Sequence, residues 1–163
     1  MSPESPANHP QSPAVPEPER PSGGAVSVGI VLVSHSRALA EAAMDLARRL
    51  IVAVDVPVEL AAGLADGGLG TDPGTVVEAV ERLAERCEGV LVLADLGSGI
   101  MSAEMALEML DPALAERTRL SAAPFVEGLL GAYGAAGIGK DLQAVAAEAD
   151  GAAEAKRSQV AAF

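Results

Sequence analysis

The residues best suited to chemistry lie around His35, in the segment Ser34-His35-Ser36. A neutral imidazole is a competent nucleophile, and the hydroxyl groups beside it can hydrogen-bond an anion. Two other segments combine glycine with acidic and hydroxyl residues: Asp-Gly-Gly-Leu-Gly-Thr at 66–71 and Asp-Leu-Gly-Ser-Gly at 95–99. Backbone N–H groups in glycine-rich loops and at helix N-termini bind anions, so the three segments together predict a transient phosphoryl group on His35.

The predicted site is poor in positive charge. Neither glycine-rich segment contains Lys or Arg, and only Arg37 is near His35 in sequence. A phosphoryl group there would be held by backbone donors, hydroxyls and a helix dipole, which would leave it easy to pass on. The residues predicted to support it are Ser34, Ser36, Gly70, Thr71, Asp95, Gly97 and Ser98.

These residues also allow other interpretations. His35 could simply be a polar cap of a helix, and His9, the second histidine, is given no role. Acidic residues near His35 (Asp66, Asp72 and Asp95) could suggest a metal site, but helix and turn capping is favoured and no metal is expected. Residues 134–140 match the spacing of a P-loop, yet Asp141 replaces the hydroxyl residue that binds Mg²⁺, which favours a turn between helices.

The elements that must position this site alternate along the chain. Residues 25–33 form an uncharged, β-branched run typical of a strand buried on both faces, and 56–62 and 90–94 predict further strands. Helical patterns follow each strand. This order predicts a three-layer α/β/α sandwich with a mainly parallel sheet of four to five strands. If the first strand lies between the second and third, the three polar segments meet around His35.

The helical patterns also predict which residues form the core. After the first strand, apolar residues recur at helical spacing: Leu39, Ala43, Leu46 and Leu50. The next helix is predicted at 75–87, where it ends with Cys87, the only cysteine, expected to be a buried small residue. The helix after 95–99 carries Met101, Met105 and Met109, which are expected in the core.

The composition of the chain indicates its domain limits, its kind of partner and its location. Seven of the 11 prolines fall within residues 1–21, so 1–25 is predicted to be a disordered arm, 26–150 the folded domain and 151–163 a C-terminal tail. The net charge of −12 disfavours nucleic-acid binding and favours basic protein partners. Without a long apolar run or a signal-like N-terminus, we expect no membrane span and a cytoplasmic protein.

Four segments resemble a known family. They are GIVLVSHSRALAEAA (29–43), GGLGT (67–71), VLVLADLGSGIMSAEMALEML (90–110) and APFVEG (123–128). They resemble the phosphoryl-donor subunits, called M, of phosphoenolpyruvate-dependent dihydroxyacetone kinases, which are similar to the mannose-family IIA domain of the bacterial sugar phosphotransferase system (PTS).

The resemblance implies a phosphotransferase subunit with a phosphohistidine intermediate. His35 would accept a phosphoryl group from the histidine phosphocarrier HPr, which enzyme I charges from phosphoenolpyruvate. It would then rephosphorylate ADP held on the kinase's L subunit, DhaL, so that the M subunit itself binds no cofactor. The resemblance also implies a homodimer.

Two departures and two alternative functions stay open. Asp72-Pro73 stands where relatives often carry a small polar residue, and Gly99-Ile100 stands where many have a small residue and Lys. The first change adds a carboxylate near the phosphate, and the second removes a cation. The alternatives are the IIA component of a mannose-family sugar transporter, and a non-catalytic regulatory module that binds a small anion.

Overall fold

The computed structural model describes residues 26–162, without the side chain of Val26. The predicted arm 1–25 lies outside the described residues, and the division into arm, domain and tail stays a prediction. The strands are β1 (Val26–Ser34), β2 (Val58–Ala62), β3 (Cys87–Ala94) and β4 (Thr118–Ser121). The helices are α1 (Arg37–Leu50), α2 (Pro73–Ala84), α3 (Gly97–Met109), α4 (Pro112–Ala115), α5 (Phe125–Gly137), α6 (Leu142–Asp150) and α7 (Ala152–Ala161).

The four strands form one parallel sheet in the order β2-β1-β3-β4. Ser34 pairs with Ala62 of β2, and Val33 pairs with Ala94 of β3, so the three strands end at the same edge. The predicted parallel sheet is confirmed, with four strands in the part of the chain that the structure describes. The first strand lies between the second and third, as the site prediction requires.

Two hydrophobic clusters, one on each face of the sheet, make the sandwich. Ile30 and Leu32 of β1 pack with α1, α5 and α6, whereas Val31 and Val33 pack with α2 and α3. All four side chains are fully buried, and each such burial contributes about 1.5–3 kcal/mol. The predicted three-layer arrangement is therefore confirmed, and β1 is buried on both faces because it is uncharged throughout.

Helix α1 buries a different face from the one predicted. Its buried residues are Ala40, Ala43, Met44 and Ala47. Of the residues predicted to face the core, Leu39, Leu46 and Leu50 are exposed and only Ala43 is buried. Small side chains let a helix approach the sheet closely, so an alanine face packs here in preference to a leucine face.

The boundary between α2 and β3 also differs from the prediction. The helix ends at Ala84 and the strand begins at Cys87, three residues before the predicted start. Cys87 is buried as predicted, and this burial raises the pKa of its thiol.

The expectation that the α3 methionines lie in the core is wrong. Met101, Met105 and Met109 are exposed, and α3 instead buries small residues, among them Ala103 and Ala106. The reason is the same as for α1, because a face of small residues packs closest to the sheet. No helix within residues 26–162 is long and apolar enough to cross a membrane.

Helices α5 and α6 pack closely at a glycine. A Cβ atom on Gly131 would lie 2.8 Å from the carbonyl oxygen of Glu148, which belongs to the α6 backbone and cannot swing aside. One turn further along α5, a Cβ on Gly134 would meet only the end of the Ile51 side chain, at 3.7 Å. The close approach of α5 to α6 therefore requires glycine at position 131 but not at position 134.

We expect Gly131→Ala to lower the free energy of unfolding by about 1–3 kcal/mol, because the two helices must separate. Gly134→Ala is the matched control, and we expect it to be neutral or to stabilise by up to about 1 kcal/mol because alanine favours helix. Urea unfolding followed by circular dichroism measures both. Equal effects of the two substitutions would contradict this account of the α5–α6 contact.

Candidate functional site

The ends of β1 and β3 bring His35 against Asp95. Val33 pairs with Ala94, and Asp95 directly follows Ala94. His35 directly follows Ser34, the last residue of β1, so His35 and Asp95 lie at the same edge of the sheet. The backbone N–H of His35 donates to Oδ2 of Asp95 at 2.9 Å, and Nδ1 of the imidazole lies 2.9 Å from Oδ1. The register thus builds the contact from two residues 60 positions apart in the chain.

The carboxylate of Asp95 accepts four hydrogen bonds. Besides the two from His35, Ser34 Oγ donates to Oδ2 at 2.9 Å and the backbone N–H of Leu96 donates to Oδ1 at 2.7 Å. The Asp95 side chain is only 4% exposed. Burial alone would raise its pKa, but the four donors outweigh burial and hold the pKa of Asp95 below its ordinary value. Asp95 is therefore ionised when the protein is folded at neutral pH.

This hydrogen bonding determines which imidazole nitrogen is free. An ionised carboxylate can only accept, so Nδ1 of His35 carries the proton that it donates to Asp95. The lone pair is therefore on Nε2, which lies 2.5 Å from the hydroxyl oxygen of Ser98. The imidazole is 23% exposed. The sequence alone does not identify this nitrogen, whereas the hydrogen bonds leave Nε2 as the ring nitrogen with a lone pair.

The N-terminus of α3 points donors at the same place. Ser98 lies in the first turn of α3, where the N–H groups have no partner within the helix, and no side chain at Leu96 caps them. A Cβ on Gly97 would meet nothing within 4 Å, so the space around this turn is open. Backbone N–H groups and the helix dipole together favour an anion beside Nε2.

Gly99 allows α3 to approach the His35–Asp95 pair. A Cβ at this position would lie 2.9 Å from Oδ1 of Asp95 and 3.6 Å from Cε1 of His35. Glycine at position 99 therefore keeps the Asp95 carboxylate in place, because the Cβ atom of any other residue would displace it.

Thr71 supports the same helix turn. Its Oγ1 lies 2.8 Å from Oγ of Ser102 and 3.5 Å from the carbonyl oxygen of Ser98. Ser102 was not among the predicted residues. Its position four residues after Ser98, on the same face of the helix, is the signal that could have identified it.

The remaining predicted residues make hydrogen bonds that involve backbone groups and hold the surrounding loops and helix ends. Ser36 caps α1 by accepting from the N–H of Leu39, and the N–H of Gly70 donates to the carbonyl of His35 at 2.9 Å. Asp72 caps α2 by accepting from the N–H of Gly74 at 2.7 Å, so the added carboxylate of Asp72-Pro73 starts a helix.

The site contains little positive charge. In the described part of the chain, neither His35 nor Asp95 pairs with Lys or Arg, and Arg37 lies 3.7 Å from Glu41. Lys140, the lysine of the stretch with P-loop spacing, donates to Glu148 at 2.8 Å. Among residues 26–162 no three His, Cys, Asp or Glu side chains gather into a group that could hold a metal ion.

Comparison with known proteins identifies the family. Residues 29–146 match the family model described as the PTS system fructose IIA component. The chain belongs to this family, which confirms the resemblance to IIA domains found in the sequence.

Similar proteins include phosphoryl donor subunits of dihydroxyacetone kinase, DhaM. The subunits of Klebsiella michiganensis and Escherichia coli are each 44% identical over 135 residues, which is 82% of this chain and 28% of theirs. The chain thus spans less than a third of these relatives. The DhaM subunit of dihydroxyacetone kinase 2 from Listeria innocua is 37% identical over 101 residues, which is 62% of this chain and 79% of its own length.

A solved structure shares the fold. The protein of unknown function EF1359 superposes with a TM-score of 0.69 and 31% identity, covering 76% of this chain and 93% of its own.

We expect Asp95→Asn to lower the free energy of unfolding by about 1–3 kcal/mol at pH 7, because an amide can accept through only one end and leaves donors unpaired. Asp111→Asn, which alters an exposed cap of α4, is the control and should change little, because Asn and Asp cap helices about equally well.

The difference between wild type and Asp95→Asn should depend on pH. Since folding lowers the pKa of Asp95, its ionisation stabilises the fold above the ordinary aspartate pKa of about 3.9, and this contribution is lost as pH falls through the lower folded pKa. Urea unfolding at pH 7, 4 and 3 should show the gap narrowing with acid. A constant gap across this range would contradict the assigned hydrogen bonds.

Proposed function

We propose that this chain is a phosphohistidine carrier of a phosphoenolpyruvate-dependent dihydroxyacetone kinase. In this proposal His35 accepts a phosphoryl group from HPr and transfers it to ADP bound on DhaL. The observation that carries it is the pairing of Nδ1 with a buried, ionised Asp95, which leaves the lone pair on Nε2, facing the Ser98 hydroxyl at the N-terminus of α3. The similarity to dihydroxyacetone kinase phosphoryl donor subunits supports the choice of system.

In this proposal the reaction begins at Nε2 of His35. The Nε2 lone pair of His35 attacks the phosphorus of the donor's phosphohistidine, so one N–P bond forms as the other breaks. The imidazole then carries positive charge, which the Asp95 carboxylate stabilises through the proton on Nδ1. The hydroxyl of Ser98, which donates to Nε2 before the reaction, would then donate to the phosphoryl oxygens together with the N–H groups of the first α3 turn.

Release to the acceptor is the same step in reverse. An oxygen of the ADP β-phosphate attacks the phosphorus, and the electron pair of the breaking N–P bond returns to Nε2. Because no Lys or Arg of the described residues pairs with His35 or Asp95, little holds the phosphoryl group in place. The chain itself binds no cofactor in this proposal, since the nucleotide stays on DhaL.

The proposal also includes the cellular location and the oligomeric state of the chain. We place the chain in the cytoplasm, where phosphoenolpyruvate is available, and we propose that it forms a homodimer. Sedimentation velocity over a range of protein concentrations measures the second point, and a single species with the mass of one chain at every concentration would contradict it.

The test of the carrier role is intact-mass spectrometry at neutral pH after incubation with phosphoenolpyruvate, enzyme I and HPr. We expect a gain of one phosphoryl mass in the wild type, its loss on adding DhaL with ADP, and no gain in His35→Ala. His9→Ala is the matched control, and it should gain the phosphoryl group as the wild type does. Label that persists in His35→Ala would contradict the assignment.

The acceptor has its own test. Phosphorylated protein is mixed with DhaL-ADP or with an isolated IIB protein of a mannose-family transporter. Faster transfer to the IIB protein would favour the sugar-transporter alternative.

The position of the phosphoryl group is a separate prediction. Because Asp95 holds the proton on Nδ1, we expect phosphorylation at Nε2, which gives τ-phosphohistidine. Nitrogen-15 NMR of the phosphorylated, labelled protein distinguishes the two isomers through their coupling to phosphorus. The π-isomer would show that the His35–Asp95 hydrogen bond does not direct the reaction.

A further inference from the structure

Helix α3 carries an exposed apolar strip that leads away from His35. Met101, Met105 and Met109 are 62%, 54% and 61% exposed, and their spacing of four residues places them on one face of the helix. We call these three residues the methionine strip. It covers about 12 Å of helix, at 1.5 Å per residue, and begins one turn after the residue that contacts Nε2.

Two leucines extend this apolar surface around the site itself. Leu96 and Leu69 are both exposed. The N–H of Leu96 donates to Asp95, and Gly70, which follows Leu69, donates to the carbonyl of His35, so both leucines stand at the rim of the site. Several exposed apolar side chains at the rim of a site and along the adjacent helix are typical of an interaction surface.

The methionine strip lies beside two glutamates that have no ion-pair partner among the described residues. Glu104 and Glu108 lie on the same helix, and neither forms an ion pair within residues 26–162, although every other helix of at least nine residues contributes to one. The sequence contains no Lys or Arg between Arg86 and Arg117. The face of α3 therefore combines adaptable apolar side chains with negative charge that no neighbour neutralises.

We propose that the methionine strip, with Glu104 and Glu108, is the docking surface for the protein that delivers the phosphoryl group to His35. That partner has an apolar patch rimmed by basic side chains. The inference rests on the proposed function, because it names the surface on which the phosphoryl donor binds. Methionine suits such a surface, since its unbranched side chain adapts to a partner's shape.

Charge favours this occupant over the alternatives. In a symmetric contact of α3 with α3, a second copy of the chain would bring its own Glu104 and Glu108 near the same residues, and α3 has no cation to offset the repulsion. The nucleotide-bearing acceptor would add phosphate charge to an acidic contact. A basic donor carrying a single phosphoryl group complements the surface best.

Charge reversal tests the electrostatic half of the proposal. For Glu104→Lys with Glu108→Lys, we expect kcat/KM for phosphorylation by HPr to fall at least about tenfold, mainly through KM. The matched control is Asp55→Lys with Glu88→Lys, which makes the same change in net charge near the opposite edge of the sheet. Equal losses in the two variants would overturn the proposal, because total charge would then explain the effect.

Polar replacement tests the apolar half. We expect Met101→Gln with Met105→Gln to lower the same kcat/KM about fivefold to tenfold, because glutamine keeps helix propensity and length but loses apolar contact. The control is Leu46→Gln with Leu50→Gln, an exposed pair at the same spacing on α1. Unchanged kinetics in the methionine variant would overturn the proposal.

A small phosphoryl donor separates docking from chemistry. With phosphoramidate, which needs no protein contact, the α3 variants should be phosphorylated on His35 at the wild-type rate. A matching loss with phosphoramidate would show damage to the site and overturn the docking role.

Methyl NMR reads docking without phosphoryl transfer. On adding unphosphorylated HPr to protein labelled at the methionine methyl groups, the signals of the methionine strip should shift, and that of buried Met44 should not. Such shifts support the docking surface even if wild-type His35 proves unable to accept a phosphoryl group, in which case only the proposed function fails. If the signals of the methionine strip do not shift at a saturating HPr concentration, the docking surface is overturned.

Sedimentation of the methionine variant completes the test. Conversion of a wild-type dimer to a monomer in this variant would assign the methionine strip to a second copy and overturn the proposal.

Discussion

The carboxylate of Asp95 connects the parts of the molecule that the site needs. It accepts from the side chain of Ser34, from both the backbone and the ring of His35, and from the backbone of Leu96. These donors come from the end of β1 and from the turn that starts α3. One buried side chain therefore links the end of β1, the start of α3 and the imidazole ring. A shift in any of these three would change the hydrogen bonds of the other two.

The electrostatics of the site suit a group that must arrive and leave. A carboxylate without a Lys or Arg partner among the described residues supports positive charge on the imidazole, yet it adds no attraction for a phosphate. The attraction comes from the Ser98 hydroxyl and from N–H dipoles at the start of α3, which are weaker than a fixed cation. In the proposed function, such a site would stabilise a phosphoryl group during transfer without retaining it.

The parts of the structure governed by local chemistry could be predicted from the sequence. The uncharged run of β1 and the polar segments after the strands predicted the sheet and the meeting of the loops at His35. The choice of imidazole nitrogen could not be predicted, because it depends on a contact between His35 and Asp95. Periodicity alone also misplaced Leu39 and Met105, since leucine and methionine are more apolar than alanine but cannot pack as close to the sheet.

The distance along the chain between His35 and Asp95 has a consequence for folding. All four strands pair in parallel, so each pairing closes a long loop, and β1 gains its β3 neighbour only across about 60 residues. No local segment can orient the imidazole by itself. During synthesis, His35 leaves the ribosome long before its carboxylate partner does, and the imidazole is oriented only when the central pair of strands is complete. The hydrogen bond that orients His35 is therefore a property of the folded sheet and is absent from every shorter intermediate.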